Sequence, residues 1–363
     1  MQVAEGPASG RTIVASIGFA FVGFLVTAGI LHATIRDPLH LHADIRSEKL
    51  FLLDQLHGKV FSAAFGSSHV HNGFDPRVFD ATLAGSAAAT RTANMAVAGG
   101  SQSEQYVMAQ QFLKQLQSPA QVGAPSQPCV VMLELLAGVN FTNDHLVHPR
   151  AINIYDWRTT RLISHFGSAK MGLIQRTGRI GYALVAMSLH YANVGMLSNE
   201  IFAPPLNEET LTVQTENDRR GQWVGPASAA YQPTLKTMIR NAPRQPTISP
   251  GSLLEGNALM VQQLAAASAV RHVSFAYIVM PGLGDLTTGL DYPDQVMVPG
   301  PDGMLEVPII NLARADRFPE LYKAELWYDE AHLDETGAQL GTRILAEQLK
   351  KWYAAHGGPT PCG

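Results

Sequence analysis

"FSAAFGSSHVHNGFDPRVFD", residues 61–80, is the stretch on which the reading of the chain turns. A short apolar run stops at Gly66, and two serines and two histidines follow within five residues. Together with Lys59 and Val60 the run has the length and character of a buried strand, and the glycine supplies the turn out of it. In open α/β sheets ligands sit beyond the carboxyl ends of the strands, so Ser67 and Ser68 stand where a nucleophile would be presented. The same serines would equally serve as caps for a helix beginning near Asp75, because serine is favoured at turns and helix N-termini.

The chain repeats this strand-then-turn pattern further on. "ANMAVAGGS" (93–101) reads as a short strand entering a Gly-Gly turn, and "SEQYVMAQQFLKQLQS" (103–118) has the spacing of an amphipathic helix. "PCVVMLELLAGVN" (128–140) returns as a buried strand. Later, "SLLEGNALMVQQLAAASAV" (252–270) is helical, "RHVSFAYIVMP" (271–281) is a strand stopped by proline, and "GAQLGTRILAEQLKKWYAAHG" (337–357) is a closing helix. Strands alternating with helices at these lengths predict an α/β domain, three-layered, with a mostly parallel sheet flanked by helices. Between about 145 and 250 the pattern degrades. "TGRIGYALVAMSLHYANVGMLSNEIF" (177–202) reads as a helix, but "NEETLTVQTENDRRGQWVGPASAAYQPT" (207–234) is polar and aperiodic, an insertion that is either a substrate-facing cap or a disordered excursion.

Polar groups that follow apolar strands recur at "GSSH" (66–69), "AGGS" (98–101) and "AGVN" (137–140). Near the C-terminus "LWYDEAHLDETGAQL" (326–340) sets Asp329 three residues before His332, a spacing that lets a carboxylate orient an imidazole within one turn. These residues supply a hydroxyl nucleophile, a base with its orienting acid, and donors for a developing oxyanion. Each has an ordinary reading too: His332 as a cap, Gly99-Gly100 as a tight turn, Asn140 as a turn residue. "HLH" (40–42) and "HVH" (69–71) lack partners at ligand spacing, so neither a metal nor another cofactor is expected.

In this order the four stretches resemble the blocks of the SGNH (GDSL-type) hydrolase and acyltransferase superfamily, in particular its membrane-anchored bacterial branch. "GSS" resembles the Gly-Ser-Ser variant of the first block, which implies Ser68 as nucleophile, and "NGFDP" resembles the continuation found in anchored members. "NMAVAGGSQSEQY" resembles the second block, which implies a backbone oxyanion donor at Gly100, with Gly99 next to it. Gly138 and Asn140 match the third block's Gly-x-Asn-Asp, which implies a side-chain donor at Asn140. Phe141 replaces the aspartate, however, and Asn143-Asp144 is an alternative pair. Asp329 and His332 match the last block. The resemblance therefore implies a catalytic Ser68, Asp329 and His332, and an oxyanion hole of the Ser68 and Gly100 N–H groups and Asn140. His69 stands where anchored relatives often carry arginine. The similarity covers roughly 58–145 and 250–355 and implies an SGNH/flavodoxin-like fold.

The function implied is that of an O-acyltransferase or esterase using an acyl donor and a carbohydrate acceptor, or an acyl ester, on an envelope or exported polysaccharide, with a membrane-bound acyl-donor partner. The alternative is a catalytically silent polysaccharide-binding or assembly protein that keeps the fold. Trp157, Trp223, Trp327 and Tyr231 are either sugar-facing aromatics or packing.

Of the 363 residues, 46% are hydrophobic and 15% charged, and part of that apolar excess lies at the N-terminus. From Thr12 to Ile35 no Asp, Glu, Lys or Arg occurs, and as a helix this run would cover a hydrocarbon core of about 30 Å. It reads as a transmembrane anchor or, in competition, as a cleaved signal peptide. Charges on either side leave its orientation undecided, and the bacterial inner (cytoplasmic) membrane with a periplasmic domain follows from the resemblance alone. The expected organisation is a tail (1–11), anchor (12–35), connector (36–57), SGNH-like domain (58–356) with the insertion, and C-terminal tail (357–363). A net charge of −4 without a basic stripe argues against nucleic acid as a partner. Cys129 and Cys362 make a poor case for a disulfide framework and leave the compartment open.

Overall fold

The strand expected from the opening stretch is β1 (Ser62–Phe65), buried at every position and paired in parallel on both sides. Its neighbours are β2 (Thr92–Asn94) and β3 (Val130–Glu134), with Ala63 opposite both Ala93 and Val131. The computed structural model describes residues 10–34, 45–136, 154–165, 172–191, 219–223, 231–251, 253, 255–359 and 361–362. Within them the sheet runs β2-β1-β3-β5-β8-β7, where β5 is Ser274–Val279, β7 Gln295–Gly300 and β8 Gly303–Asn311. Only β7, paired with β8 as a hairpin, runs antiparallel in this sheet. A separate parallel pair joins β4 (Thr247–Pro250) to β6 (Thr288–Asp291). The chain is thus α/β with a mostly parallel central sheet flanked by helices.

Strand alternation sorts the core into two. Ala63, Phe65, Val131, Leu133, Tyr277 and Ile309 belong to one cluster. They are joined there by residues of α2 (Ile45–Gln55), α5 (Gln102–Gln115), α6 (Trp157–His165) and α9 (Glu255–Ala267). Ala64, Met132, Ala276, Ile278 and Ile310 point the other way. They meet α3 (Ser68–Gly73), α4 (Pro76–Leu83) and α10 (Glu335–Ala355). Each fully buried Leu or Phe in these layers contributes about 1.5–3 kcal/mol. Ala63 on one face of β1 and Ala64 on the other leave room for helices to approach from both sides.

Several predicted elements take a different extent. α2, placed in the connector by sequence, buries Leu50, Leu52, Leu53 and Leu56 in the first cluster. The helix read over 177–202 is α7 (Leu173–Tyr191); the insertion also contributes α6 and α8 (Gln232–Asn241), while most of 207–234 lies outside the described residues. The N-terminal run forms one helix, α1 (Gly10–Thr34), of 25 residues. Among the described residues no helix is long and apolar enough to cross a membrane.

The cysteine reading is overturned. Cys129, just before β3, and Cys362 form a disulfide across 233 residues of sequence, with Cα atoms 5.2 Å apart. The C-terminal segment lies alongside the start of β3, where Cys362 N–H donates to Gln127 O at 3.0 Å. Spacing in sequence carries no information about that adjacency, which arises when the chain end returns past α10.

Candidate active site

The turn out of β1 is built around Gly66. A Cβ there would meet Glu134 Oε2 and Val70 Cγ2 at 2.5 Å each, so no larger residue fits without displacing one of them. Ser67 then acts as N-cap of α3, its hydroxyl accepting from His69 N–H at 3.3 Å. Ser68 is the first residue of that helix, the position at which a backbone N–H has no intrahelical acceptor. Asn94, at the end of β2, steadies α3 from beneath by donating through Nδ2 to the carbonyls of Val70, His71 and Phe74 at 2.9–3.1 Å. Asp75 caps α4 and takes a two-pronged contact from Arg77 at 2.9 and 3.1 Å, which gives the "FDP" corner its shape.

His332 arrives from the loop before α10. Asp329 folds that loop by accepting the N–H groups of Ala331 and His332 at 2.8 Å, and Tyr328 N–H donates to His332 O at 2.8 Å. The same carboxylate lies 2.9 Å from His332 Nδ1 through both oxygens. On the far side of the ring, His332 Nε2 is 2.8 Å from Ser68 Oγ. The three residues form one hydrogen-bonded series from carboxylate to hydroxyl. Burial alone would raise the Asp329 carboxyl, but the His332 bond and charge and the two backbone N–H groups outweigh it and hold the pKa below the usual carboxylate value.

The other expected site residues are placed differently. Gly99 adopts φ +68°, which turns the chain after Val97, and Gly100 N–H donates into that turn, to Val97 O at 2.7 Å. A Cβ on Gly100 would stand 2.6 Å from Val97 O and 3.0 Å from Gly66 O, so this glycine lets the second turn close against the first. Gly138, Asn140, Asn143 and Asp144 lie outside the described residues.

Two residues without an assigned role in the sequence reading are part of the site. Glu134 ends β3 with its side chain buried; Oε2 accepts the Ser67 N–H at 2.5 Å and Oε1 is 3.4 Å from His69 Nδ1. A lone carboxylate inside "VVMLELL" is the signal that would have singled it out, since buried carboxylates are rare unless paired. His71 is buried, with Nε2 lacking a partner among the described residues, and its pKa falls well below the usual value through burial and then through the charges of Lys49 and His332. Its ring stacks toward Trp223 with centroids 6.3 Å apart, and Trp223 meets Tyr328 edge-on at 5.9 Å. These contacts bring residues 219–223 of the insertion against α3. Of the other aromatics, Trp327 is wholly buried, with Nε1–H donating to Leu321 O, whereas Trp157 and Tyr231 are exposed.

Comparison of the chain with protein-family models, with curated proteins and with solved structures found no match.

Proposed function

We propose that the chain is a serine-dependent O-acyltransferase or esterase of the SGNH type, acting on an exported or envelope polysaccharide through an acyl-enzyme. The observation that carries this reading is the continuous series Ser68 Oγ, His332 Nε2, His332 Nδ1 and Asp329, with every link at 2.8–2.9 Å. In such a series His332 takes the hydroxyl proton as Ser68 attacks an acyl carbonyl, and Asp329 fixes the tautomer and steadies the imidazolium. His332 then returns the proton to the departing alcohol. Water or a sugar hydroxyl, deprotonated by the same imidazole, releases the acyl group.

α1 serves in this proposal as a single membrane anchor in a bacterial inner membrane, with the α/β domain on the periplasmic side. Support comes from exposed Phe19, Phe21, Phe24, Leu25 and Ile30 on α1 and from the Cys129–Cys362 disulfide, since such bridges persist in oxidising compartments. A membrane-bound donor of acyl groups is the matching partner.

The test is hydrolysis of a chromogenic acetyl ester by the full-length protein in detergent, beside Ser68→Ala. Turnover lost in the variant supports the reading; a wild-type protein as inert as Ser68→Ala sinks it. Adding an oligosaccharide and following its acetylation by mass separates transferase from esterase. One observation favours a second reading, a silent polysaccharide-binding or assembly protein: the Gly100 N–H is committed to Val97 O. That reading requires oligosaccharide binding at equal affinity in wild type and Ser68→Ala, without turnover in either.

A further inference from the structure

Two imidazoles flank Ser68. His332 is the base of the series described above; His69, the next residue in α3, has its ring centroid 5.6 Å from that of His332, with the planes inclined by 35°. Its Nδ1 is held on one side, 3.4 Å from Glu134 Oε1 and 3.4 Å from Ser67 Oγ. Ring geometry sends Nε2 to the opposite side, and among the described residues it has no hydrogen-bond partner. The side chain is 36% exposed, so the ring is open in part to a ligand at the site.

Donors near Ser68 are otherwise scarce. Gly100 N–H is spent on Val97 O, and Ser67 N–H on Glu134. Ser68 N–H, at the first position of α3, has no intrahelical acceptor and remains as a donor. A further donor beside it matters, because each preorganised donor is worth about 100- to 1000-fold in rate.

We propose that His69 completes the hole by donating its Nε2–H to the oxyanion formed at Ser68, a role that rests on the serine-dependent reading above. As Ser68 Oγ bonds to the acyl carbon, its proton passes to His332 and the carbonyl π pair moves onto oxygen. That oxygen accepts from Ser68 N–H and from His69. Collapse re-forms the carbonyl and breaks the bond to the leaving alcohol, which takes the proton from His332, while His69 keeps its protons throughout.

Glu134 favours the form of the ring that donates at both nitrogens. Burial disfavours the charged ring, but the Glu134 hydrogen bond and charge, with the charges of Asp285 and Asp329, outweigh it and raise the pKa. The charged and titratable groups around His69 are Glu134 from β3, Asp285 from the turn after β5, and Asp329 and His332 from the loop before α10. Asp285 is itself raised by burial, against hydrogen bonds from Gly282 N–H and the Tyr322 hydroxyl.

The experiment follows acetyl-ester hydrolysis and covalent labelling by a neutral fluorophosphonate against pH, in full-length wild type, Ser68→Ala, His69→Ala and His69→Arg. The expected result is a rate lowered about 100-fold in His69→Ala. His69→Arg, which stays cationic at all working pH, should recover most of the rate and lose the alkaline decline that wild type shows as His69 deprotonates. If His69→Ala labels at the wild-type rate while Ser68→Ala does not label, the His69 proposal is overturned and the serine reading stands. Equal slowing in His69→Ala and His69→Arg, with the alkaline decline unchanged, marks a structural role and also overturns it. An inert wild type overturns both readings. Should His69→Ala melt below assay temperature, His69→Gln carries the same test through the disappearance of the alkaline decline.

Discussion

His332 Nε2 lies 2.8 Å from Ser68 Oγ, although 264 residues separate the two in sequence. The neighbouring Ser67 hydroxyl faces its own helix, accepting from His69 N–H. Two adjacent serines therefore have separate work. Ser68→Ala should remove hydrolysis of an activated acetyl ester, by 1000-fold or more on the order found for nucleophiles of triad enzymes. Ser67→Ala should retain much of the turnover and lose about 0.5–2 kcal/mol of stability, the ordinary cost of removing an N-cap. A urea titration of each variant beside its ester turnover checks the pair, and the opposite pattern would move the nucleophile to Ser67.

Asp329 binds the His332 loop through two N–H groups and the imidazole through Nδ1. Asp329→Asn keeps the shape of the side chain, but its amide can present N–H to Nδ1 and select the wrong tautomer. A fall in kcat of about 10⁴-fold with KM little changed is the expected outcome. The folded-state pKa of this carboxyl is depressed, so its contribution to stability is present above the unfolded value of about 3.9 and is lost as pH falls through the folded one. Wild type should thus show an added loss of stability below about pH 4 that Asp329→Asn lacks.

The disulfide closes most of the domain into one loop. Paired replacement of Cys129 and Cys362 by serine, or reduction of the wild type, should cost about 2–4 kcal/mol, read as a lower urea midpoint. Ester turnover at low temperature should persist, because the bridge lies at the start of β3 and Ser68 sits beyond the opposite ends of the strands. Identical midpoints with and without reductant would contradict this.

Lys49, on α2, is buried with its ammonium donating to the carbonyls of Asn94, at 2.9 Å, and Gly221. Burial lowers its pKa to about 7, partly opposed by Glu48. Between about pH 7 and 10 the unfolded chain then binds the proton more strongly than the folded one, so stability should rise with pH across that window. The upper limit is about 1.4 kcal/mol per pH unit. Urea midpoints at pH 7, 8 and 9 should climb in wild type and stay level in Lys49→Met; equal slopes would count against the buried, proton-poor lysine.

Much of this architecture was legible locally. The apolar run ending at Gly66, the helix of α5, and the spacing of Asp329 and His332 each depend on residues within a turn or two of one another. Periodicity and turn chemistry report on that range. The hairpin of β7 and β8 was not legible, because Pro299 and Pro308 argue against strands; Pro299 lies in β7 at the sheet edge, where proline is tolerated, whereas Pro308 lies in β8, inside the sheet.

By itself the sequence determined an α/β alternation, a serine turn after one strand, and a histidine with its own carboxylate before the last helix. Which serine meets that histidine, that Glu134 grips Ser67 and His69, that the Gly100 N–H turns inward, and that Cys129 finds Cys362 were decided only in three dimensions. Those relations depend on the strand order β2-β1-β3-β5, which sets the ends of β1 and β3 side by side and brings the loop before α10 over them. Sheet order is a property of how whole faces pack, and no short stretch of sequence contains it.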